Sequence, residues 1–147
     1  MDIEIRTFRP EDLEEVYEIE RRSFLWPWSQ GVFIHLHHTT PHLFLVAVVD
    51  GRVVGYVMGE MEGAKVGHVI NIAVHEAYRR RGVGTRLMEE LERRFGELGA
   101  EGVKLEVREG NEEARAFYRG LGYVERGRVD RYYWNLTAVR MEKKLGR

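Results

Sequence analysis

Near the start of the chain Ile3, Ile5 and Thr7 alternate with Glu4, Arg6 and Phe8, the two-residue period of a strand with one face on a core. Pro10-Glu11-Asp12 then suits a helix start, with proline early and acids in the first turn. Leu13, Val16, Tyr17 and Phe24 give that helix one apolar face, and Ser29 is placed to cap a second, short helix containing Val32, Phe33 and Leu36. Residues 43–49 are almost continuously apolar, and Asp50-Gly51 is a hairpin signal, so 52–61 reads as the returning strand. Gly63 marks another turn, and 66–74 reads as a further strand.

Beyond it the period changes. Leu87, Leu91, Phe95 and Leu98 recur at helical spacing, with Glu89/Arg93 and Glu90/Arg94 placed to pair on the wet face and Gly99 as a stop. Val103, Leu105 and Val107 form a strand, residues 114–121 a helix ended by Gly122, and two strands follow near 124–133 and 138–145. The expected order is β-α-α-β-β-β-α-β-α-β-β: an α/β fold with a mixed sheet of six or seven strands and helices on both faces. Repeats, low-complexity segments and linkers are absent, and 147 residues suit one domain, 1–147.

Composition narrows the chemistry. Six Phe, three Trp and seven Tyr within a 44% apolar chain are enough for a core. With 23 basic and 24 acidic residues the net charge is −1, which removes the general electrostatic case for nucleic acid or an anionic membrane as partner. The absence of cysteine excludes disulfides, thiolate metal sites and a cysteine nucleophile. No apolar run approaches bilayer length, and the first residues lack the pattern of a signal peptide, so a cytoplasmic protein is expected.

The most informative stretch is Ile72-Ala73-Val74 followed by Arg79-Arg80-Arg81-Gly82-Val83-Gly84-Thr85 at a helix start. A two-glycine turn there exposes backbone N–H groups at the positive end of the helix dipole, and its glycines admit a diphosphate that a side chain would obstruct. Three arginines add charge. No Gly-Lys-Ser/Thr follows, so it is not a Walker A loop, and the three-glycine dinucleotide pattern is absent. Taken alone, a solvated basic turn before an ordinary helix explains it equally well.

The residues do match a family. Arg79-x-x-Gly82-x-Gly84 resembles the pyrophosphate loop of the GNAT N-acetyltransferases. Asn71-Ile72-Ala73-Val74, Leu105-Glu106-Val107-Arg108, Asn111, Ala114, Phe117-Tyr118 and Leu121-Gly122-Tyr123 resemble the RimI-like, ribosomal-protein-alanine branch and the related archaeal N-terminal acetyltransferases. Residues 24–29, ending Trp26-Pro27-Trp28-Ser29, look like that branch's first interhelical loop, and Arg131-Tyr132-Tyr133 like its Arg-x-Tyr-Tyr region. The likeness runs in order through essentially the whole chain. It implies a single GNAT domain, acetyl-CoA as cosubstrate and no metal.

It also implies roles. Acetyl transfer to an amine needs a deprotonated nucleophile, stabilisation of a tetrahedral oxyanion and a proton for the departing thiolate. By resemblance Glu106 is the proton acceptor, Tyr118 the acid that protonates the CoA sulfur, and Asn111 a cofactor contact. Ile72, Ala73 and Val74 would carry the pantetheine arm like an added strand, an N–H near Val74 would polarise the thioester carbonyl, and residues 79–85 would hold the diphosphate. The acceptor amine would lie against Leu25, Trp26, Trp28, Arg131, Tyr132 and Tyr133. From the residues alone, Glu106 stands opposite Leu105 and Val107; if that face lines a cleft of low polarity, burial would raise its pKa and strengthen it as a base, and otherwise it is a solvent-exposed carboxylate on a half-wet sheet; Tyr118 reads equally as a core aromatic and Asn111 as a helix cap.

His68 and His75 flank the cofactor strand as weaker relay candidates. His35, His37, His38 and His42 suggest a metal superficially, but Pro41 breaks the helical geometry that His38 and His42 would need, so zinc is rejected. The first-choice acceptor is a protein N-terminus, with a lysine amine or a polyamine as alternatives, and a non-catalytic CoA-binding module as a different class. Thr137 stands where the branch usually has aspartate, after a short 134–136 connection, which points to altered acceptor specificity.

Overall fold

The computed structural model describes residues 1–133 and 136–146, with the side chains of 131–133 outside that description. The strands are β1 (Glu4–Thr7), β2 (Phe44–Val49), β3 (Arg52–Glu62), β4 (Val66–Val74), β5 (Gly102–Arg108), β6 (Val124–Tyr133) and β7 (Leu136–Lys144). The helices are α1 (Leu13–Ser23), α2 (Gln30–Thr39), α3 (Val83–Glu97) and α4 (Glu112–Gly120). The strands make one seven-stranded sheet in the order β1-β2-β3-β4-β5-β7-β6. It is mixed: β4 and β5 pair in parallel, whereas β1–β2, β2–β3, β5–β7 and β6–β7 are antiparallel. Element number, type and order are those the periodicity predicts.

Packing falls into two compact units, the first Met1–Glu60 with Ile70–Arg94, the second Met61–Val69 with Phe95–Arg147. In the first, β2 is buried along its whole length, as its unbroken apolar run requires. The hairpin to β3 turns on Asp50 (φ 50°) and Gly51 (φ 78°), two left-handed residues whose twist matches the flanking strands. Val16 and Ile19 of α1 and Phe33 of α2 join Phe8, Phe44, Val46, Tyr56 and Met58 in one core. Asp12 ties β1 to the entry of α1, accepting from Arg6 at 2.7 and 2.9 Å and from the Arg9 N–H at 2.8 Å. Burial disfavours that charge, yet these donors hold its carboxyl below the usual value.

Three local expectations change. The Pro10–Asp12 start is a 3-10 turn ahead of α1, because the Asp12 N–H bonds back to Arg9 carbonyl. Phe24 is not on the α1 face but is the extended, exposed residue after it. Ser29 stands at the N-cap of α2, but there its carbonyl, not its side chain, takes the Val32 N–H at 3.1 Å.

In the second unit β5 alternates as predicted, with Val103, Leu105 and Val107 buried; Tyr118, Tyr123 and Met141 are buried as well. Leu98 lies beyond the end of α3 and is exposed; the chain turns there through Gly99 at φ 96°. On the wet face of α3, Glu90 accepts from both Arg93 (2.7 Å) and Arg94 (2.9 Å) and is held down to about 2 by them, Arg93 first. Gly67 of β4 lies under the buried Phe95 ring, where a Cβ would come within 2.5 Å of ring carbon. Gly67→Ala is therefore expected to lower unfolding stability by about 1–3 kcal/mol, the usual cost of overpacking, as a reduced midpoint in a urea melt; an unchanged midpoint would show that Phe95 yields freely.

Candidate functional site

The first unit contains the turn that the sequence reading singled out for a diphosphate. Past Val74 the His75 N–H bonds to the Val54 carbonyl at 2.7 Å, and a 3-10 turn (Glu76–Tyr78) leads into the arginines. His75 Nδ1 accepts from the Ala77 N–H at 3.1 Å, so this histidine caps its own turn. Arg79 Nε donates to the Val74 carbonyl at 3.0 Å, making Arg79 a brace on the end of β4. Arg80 (φ 63°) and Gly82 (φ 85°) both have left-handed φ on either side of Arg81. At a helix beginning at Val83, the N–H groups of Val83, Gly84 and Thr85 have no acceptor within the helix. Arg80 and Arg81 are exposed beside them, Arg81 lying 5.8 Å from the Tyr78 ring centre.

A glycine the sequence did not single out lets α3 sit here. A Cβ on Gly55 would lie 3.2 Å from the Ala73 carbonyl and from methyls of Val83 and Leu87, so the bare backbone permits close helix–strand packing. The donor set of the turn therefore fits a diphosphate: unpaired N–H groups, two exposed guanidinium groups and a helix terminus.

The second unit supplies the titratable groups. Glu106 is partly buried on the side of β5 opposite Leu105 and Val107, as the alternation predicts. Its Oε1 lies 2.7 Å from His68 Nε2 on the neighbouring strand β4. The register His68↔Lys104 puts Glu106 two positions along β5 on the same side as Lys104, which is how the pair meets. Arg140, directly across from Glu106 on β7, adds positive potential. The expected rise in the Glu106 pKa is overturned. Its hydrogen bond with His68 outweighs burial, helped by the charges of His68, Lys104 and Arg140, and holds the carboxyl below its usual value. His68, ranked low as a relay because no carboxylate stood near it in sequence, is thus the partner of Glu106.

Tyr118, 7% exposed at the end of α4, packs edge-on to Phe117 and Tyr123, with ring centres 5.2 and 5.9 Å away. Burial pushes its hydroxyl above the ordinary phenol range, so it is protonated at neutral pH. Among the described residues nothing shares a hydrogen bond with that hydroxyl. Asn111 is the N-cap of α4, its Oδ1 accepting from the Ala114 N–H at 3.1 Å. That satisfies the capping reading and leaves its amide nitrogen without a partner among the described residues.

Of the acceptor-side residues, Leu25 is 81% exposed and Trp26 44%. Trp28 is half-buried against the core, its ring centre 6.3 Å from that of Phe33. The side chains of Arg131, Tyr132 and Tyr133 and the whole of residues 134–135 lie outside the described residues. His35, His37 and His38 lie on α2 and His42 on the next 3-10 turn, with His37 edge-on to Phe8. Among the described residues no three His, Asp or Glu side chains come together to hold a metal.

Sequence reading missed one cluster altogether. Glu20 of α1 is 1% exposed and accepts from Asn71 Nδ2 (2.7 Å), the Tyr56 hydroxyl and the Trp28 N–H (2.9 Å). The sign available was its spacing: Glu20 stands seven, four and three residues after Leu13, Val16 and Tyr17, on the apolar face of α1 itself.

The His68 bond has a measurable consequence. In His68→Ala the burial of Glu106 loses its main counterweight, so its carboxyl is expected to titrate at higher pH than in the wild type, read from the side-chain carbonyl carbon shift by NMR. In the wild type the depressed value contributes stability above the ordinary glutamate pKa of about 4.3, lost as pH falls through the lower folded value. The variant should lose less on acidification. An unmoved titration would mean that Lys104 and Arg140 alone set it.

Residues 13–123 match the model of the Acetyltransferase (GNAT) family. An uncharacterized N-acetyltransferase of Methanocaldococcus jannaschii is 39% identical over 130 residues, covering 88% of this chain and 83% of that protein. The structure of Ard1 from Thermoplasma volcanium superposes with a TM-score of 0.94 at 34% identity, over 99% of both chains. The ribosomal-protein-S18-alanine N-acetyltransferase of Escherichia coli superposes with a TM-score of 0.86 at 26% identity, over 99% of this chain and 96% of that one. Among the described residues no helix is long and apolar enough to cross a membrane.

Proposed function

The chain belongs to the acetyltransferase (GNAT) family and is an acetyl-CoA-dependent N-acetyltransferase, and from that premise we propose that it acetylates the α-amine of protein N-termini, with Glu106 as base and Tyr118 as acid. We read residues 1–147 as one such domain in the cytoplasm. The observation that carries the mechanism is the Glu106 carboxylate held by His68 at 2.7 Å. The choice of acceptor is supported by the likeness to an enzyme named for ribosomal-protein alanine.

Acetyl-CoA supplies the acetyl group as an activated thioester. In this chain the N–H groups of Gly82, Val83, Gly84 and Thr85 bind phosphate together with Arg80 and Arg81, while Arg79 braces the turn against Val74. The backbone of Ile72, Ala73 and Val74 receives the pantetheine arm, and Asn111 offers its unpartnered amide nitrogen. Glu106, ionised and partly buried, takes the proton that the attacking amine loses, directly or through water, with His68 fixing its orientation. Tyr118, protonated in its aromatic surroundings, gives a proton to the departing sulfur. Leu25, Trp26 and Trp28, with Arg131, Tyr132 and Tyr133, border the amine.

The test presents acetyl-CoA with peptide N-termini, peptides whose only amine is lysine, and polyamines. Preference for the first supports the reading; exclusive turnover of either other class overturns the acceptor, and no turnover with any of the three overturns the proposal. Glu106→Gln should keep acetyl-CoA affinity and lose transfer at neutral pH, with the loss shrinking as pH rises and more amine arrives deprotonated. An α-amine, near pKa 8, should be rescued at lower pH than a lysine amine near about 10.4. An unaltered pH–rate profile would place the base elsewhere.

Tyr118→Phe keeps the ring packing and removes the acid. Its kcat should fall by about 10²–10⁴-fold with the acetyl-CoA dissociation constant unmoved. Near wild-type turnover with chemistry rate-limiting would leave Tyr118 as a core aromatic only.

A further inference from the structure

Glu20 is a buried carboxylate that the proposed mechanism does not use. Its three side-chain partners are all neutral donors, the Tyr56 hydroxyl, Asn71 Nδ2 and the Trp28 N–H, and none is a cation. Burial beside this carboxylate pushes the Tyr56 hydroxyl up, so it remains a donor. The backbone carbonyl of the same Glu20 accepts the Phe24 N–H at 3.1 Å. One residue therefore holds both ends of the 24–28 segment, with the exposed Phe24, Leu25 and Trp26 between its two bonds. The third link runs to β4: Asn71, bound to Glu20 through Nδ2, accepts the Ile72 N–H on Oδ1 at 3.0 Å.

We propose that Glu20 is the positioning residue of the acceptor site, a clamp that fixes the 24–28 loop to strand β4 at Ile72 so that the acceptor's first side chain meets Leu25 and Trp26 in a set register. This rests on the assignment of that loop to the acceptor in the proposed function. The clamp needs acceptor oxygens on both branches. In Glu20→Gln one branch becomes NH2, which faces either the Trp28 N–H or the Asn71 amide nitrogen, donor against donor. One link must then break.

The experiment uses whichever peptide of the acceptor panel the wild-type enzyme acetylates best. Glu20→Gln should raise the KM for that peptide about tenfold or more, the usual effect of a buried donor left unmatched, while the acetyl-CoA dissociation constant and the shape of the pH–rate profile stay as in the wild type. Tyr56→Phe, which keeps the Trp28 and Asn71 links, should leave the peptide KM close to wild type. Hydrogen exchange on the wild-type enzyme tests the clamp even if the Gln variant does not fold: the Trp28 amide should exchange far more slowly than that of Leu25. Three results overturn the proposal: a Trp28 amide as fast as that of Leu25, an unchanged peptide KM in Glu20→Gln, or an acetyl-CoA affinity that weakens in step with KM, the mark of a merely structural residue. A wild-type preference for lysine peptides or polyamines would instead overturn the acceptor class, leaving the exchange measurement to decide the clamp.

Discussion

A carboxylate removed from water must be given donors, and this chain meets that demand at three places on which its working parts depend. Asp12 receives Arg6 and the Arg9 N–H and fixes the path from β1 into α1. Glu20 receives a hydroxyl, an amide and a backbone N–H and fixes the segment between α1 and α2. Glu106 meets His68 across the parallel pairing of β4 with β5. Partner type separates their uses. The guanidinium of Arg6 pairs with Asp12 as an ion; the hydroxyl, amide and backbone N–H on Glu20 give it direction; the imidazole of His68 gives Glu106 a hydrogen-bond partner from the neighbouring strand.

The turn before α3 obeys the converse rule, since there the donors lack acceptors. Helix geometry leaves its first N–H groups without acceptors in the helix, and Arg80 and Gly82 lead into them with left-handed φ. An L residue at φ 63° carries strain that glycine would avoid. Arg80 places an exposed guanidinium at that position, beside the first N–H groups of α3. Arg79 shows that three consecutive arginines are not equivalent: its guanidinium is committed to the Val74 carbonyl, so the triplet divides into one brace and two exposed cations.

How much was legible follows from range. The seven strands, four helices and their order came through because each is written in local period and punctuation: the Asp50-Gly51 hairpin, Gly99 and Gly122 at left-handed helix ends, the alternation of Val103, Leu105 and Val107. Two of the boundary errors share a cause. Phe24 and Leu98 continue a helical period past the helix end, because periodicity does not say where backbone bonding stops. Contacts between distant segments were invisible. His68 and Glu106 are 38 residues apart and Glu20 and Asn71 are 51 apart, and only sheet register or helix packing brings each pair together. The direction of the Glu106 pKa failed for that reason: burial was legible from alternation, the imidazole that outweighs it was not.

That reversal bears on the acceptor. A carboxylate held below its usual pKa is ionised at every neutral pH, hence always able to accept, but it is a weak base with little drive to strip an ammonium ion. As the proposed base it would work on an amine that has already lost its ammonium proton, or nearly so. At pH 7 an α-amine of pKa about 8 is roughly one-tenth neutral, whereas a lysine amine near 10.4 is neutral in well under one part in a thousand. A site built around a strengthened, burial-raised carboxylate would narrow that gap by pulling harder on the lysine proton. One whose glutamate is lowered by the His68 hydrogen bond and by Lys104 and Arg140 leaves the gap in place, and those two cations oppose the entry of a charged ammonium group. The electrostatics of Glu106 thus support an amine that arrives neutral, and among protein amines the N-terminal one meets that condition best.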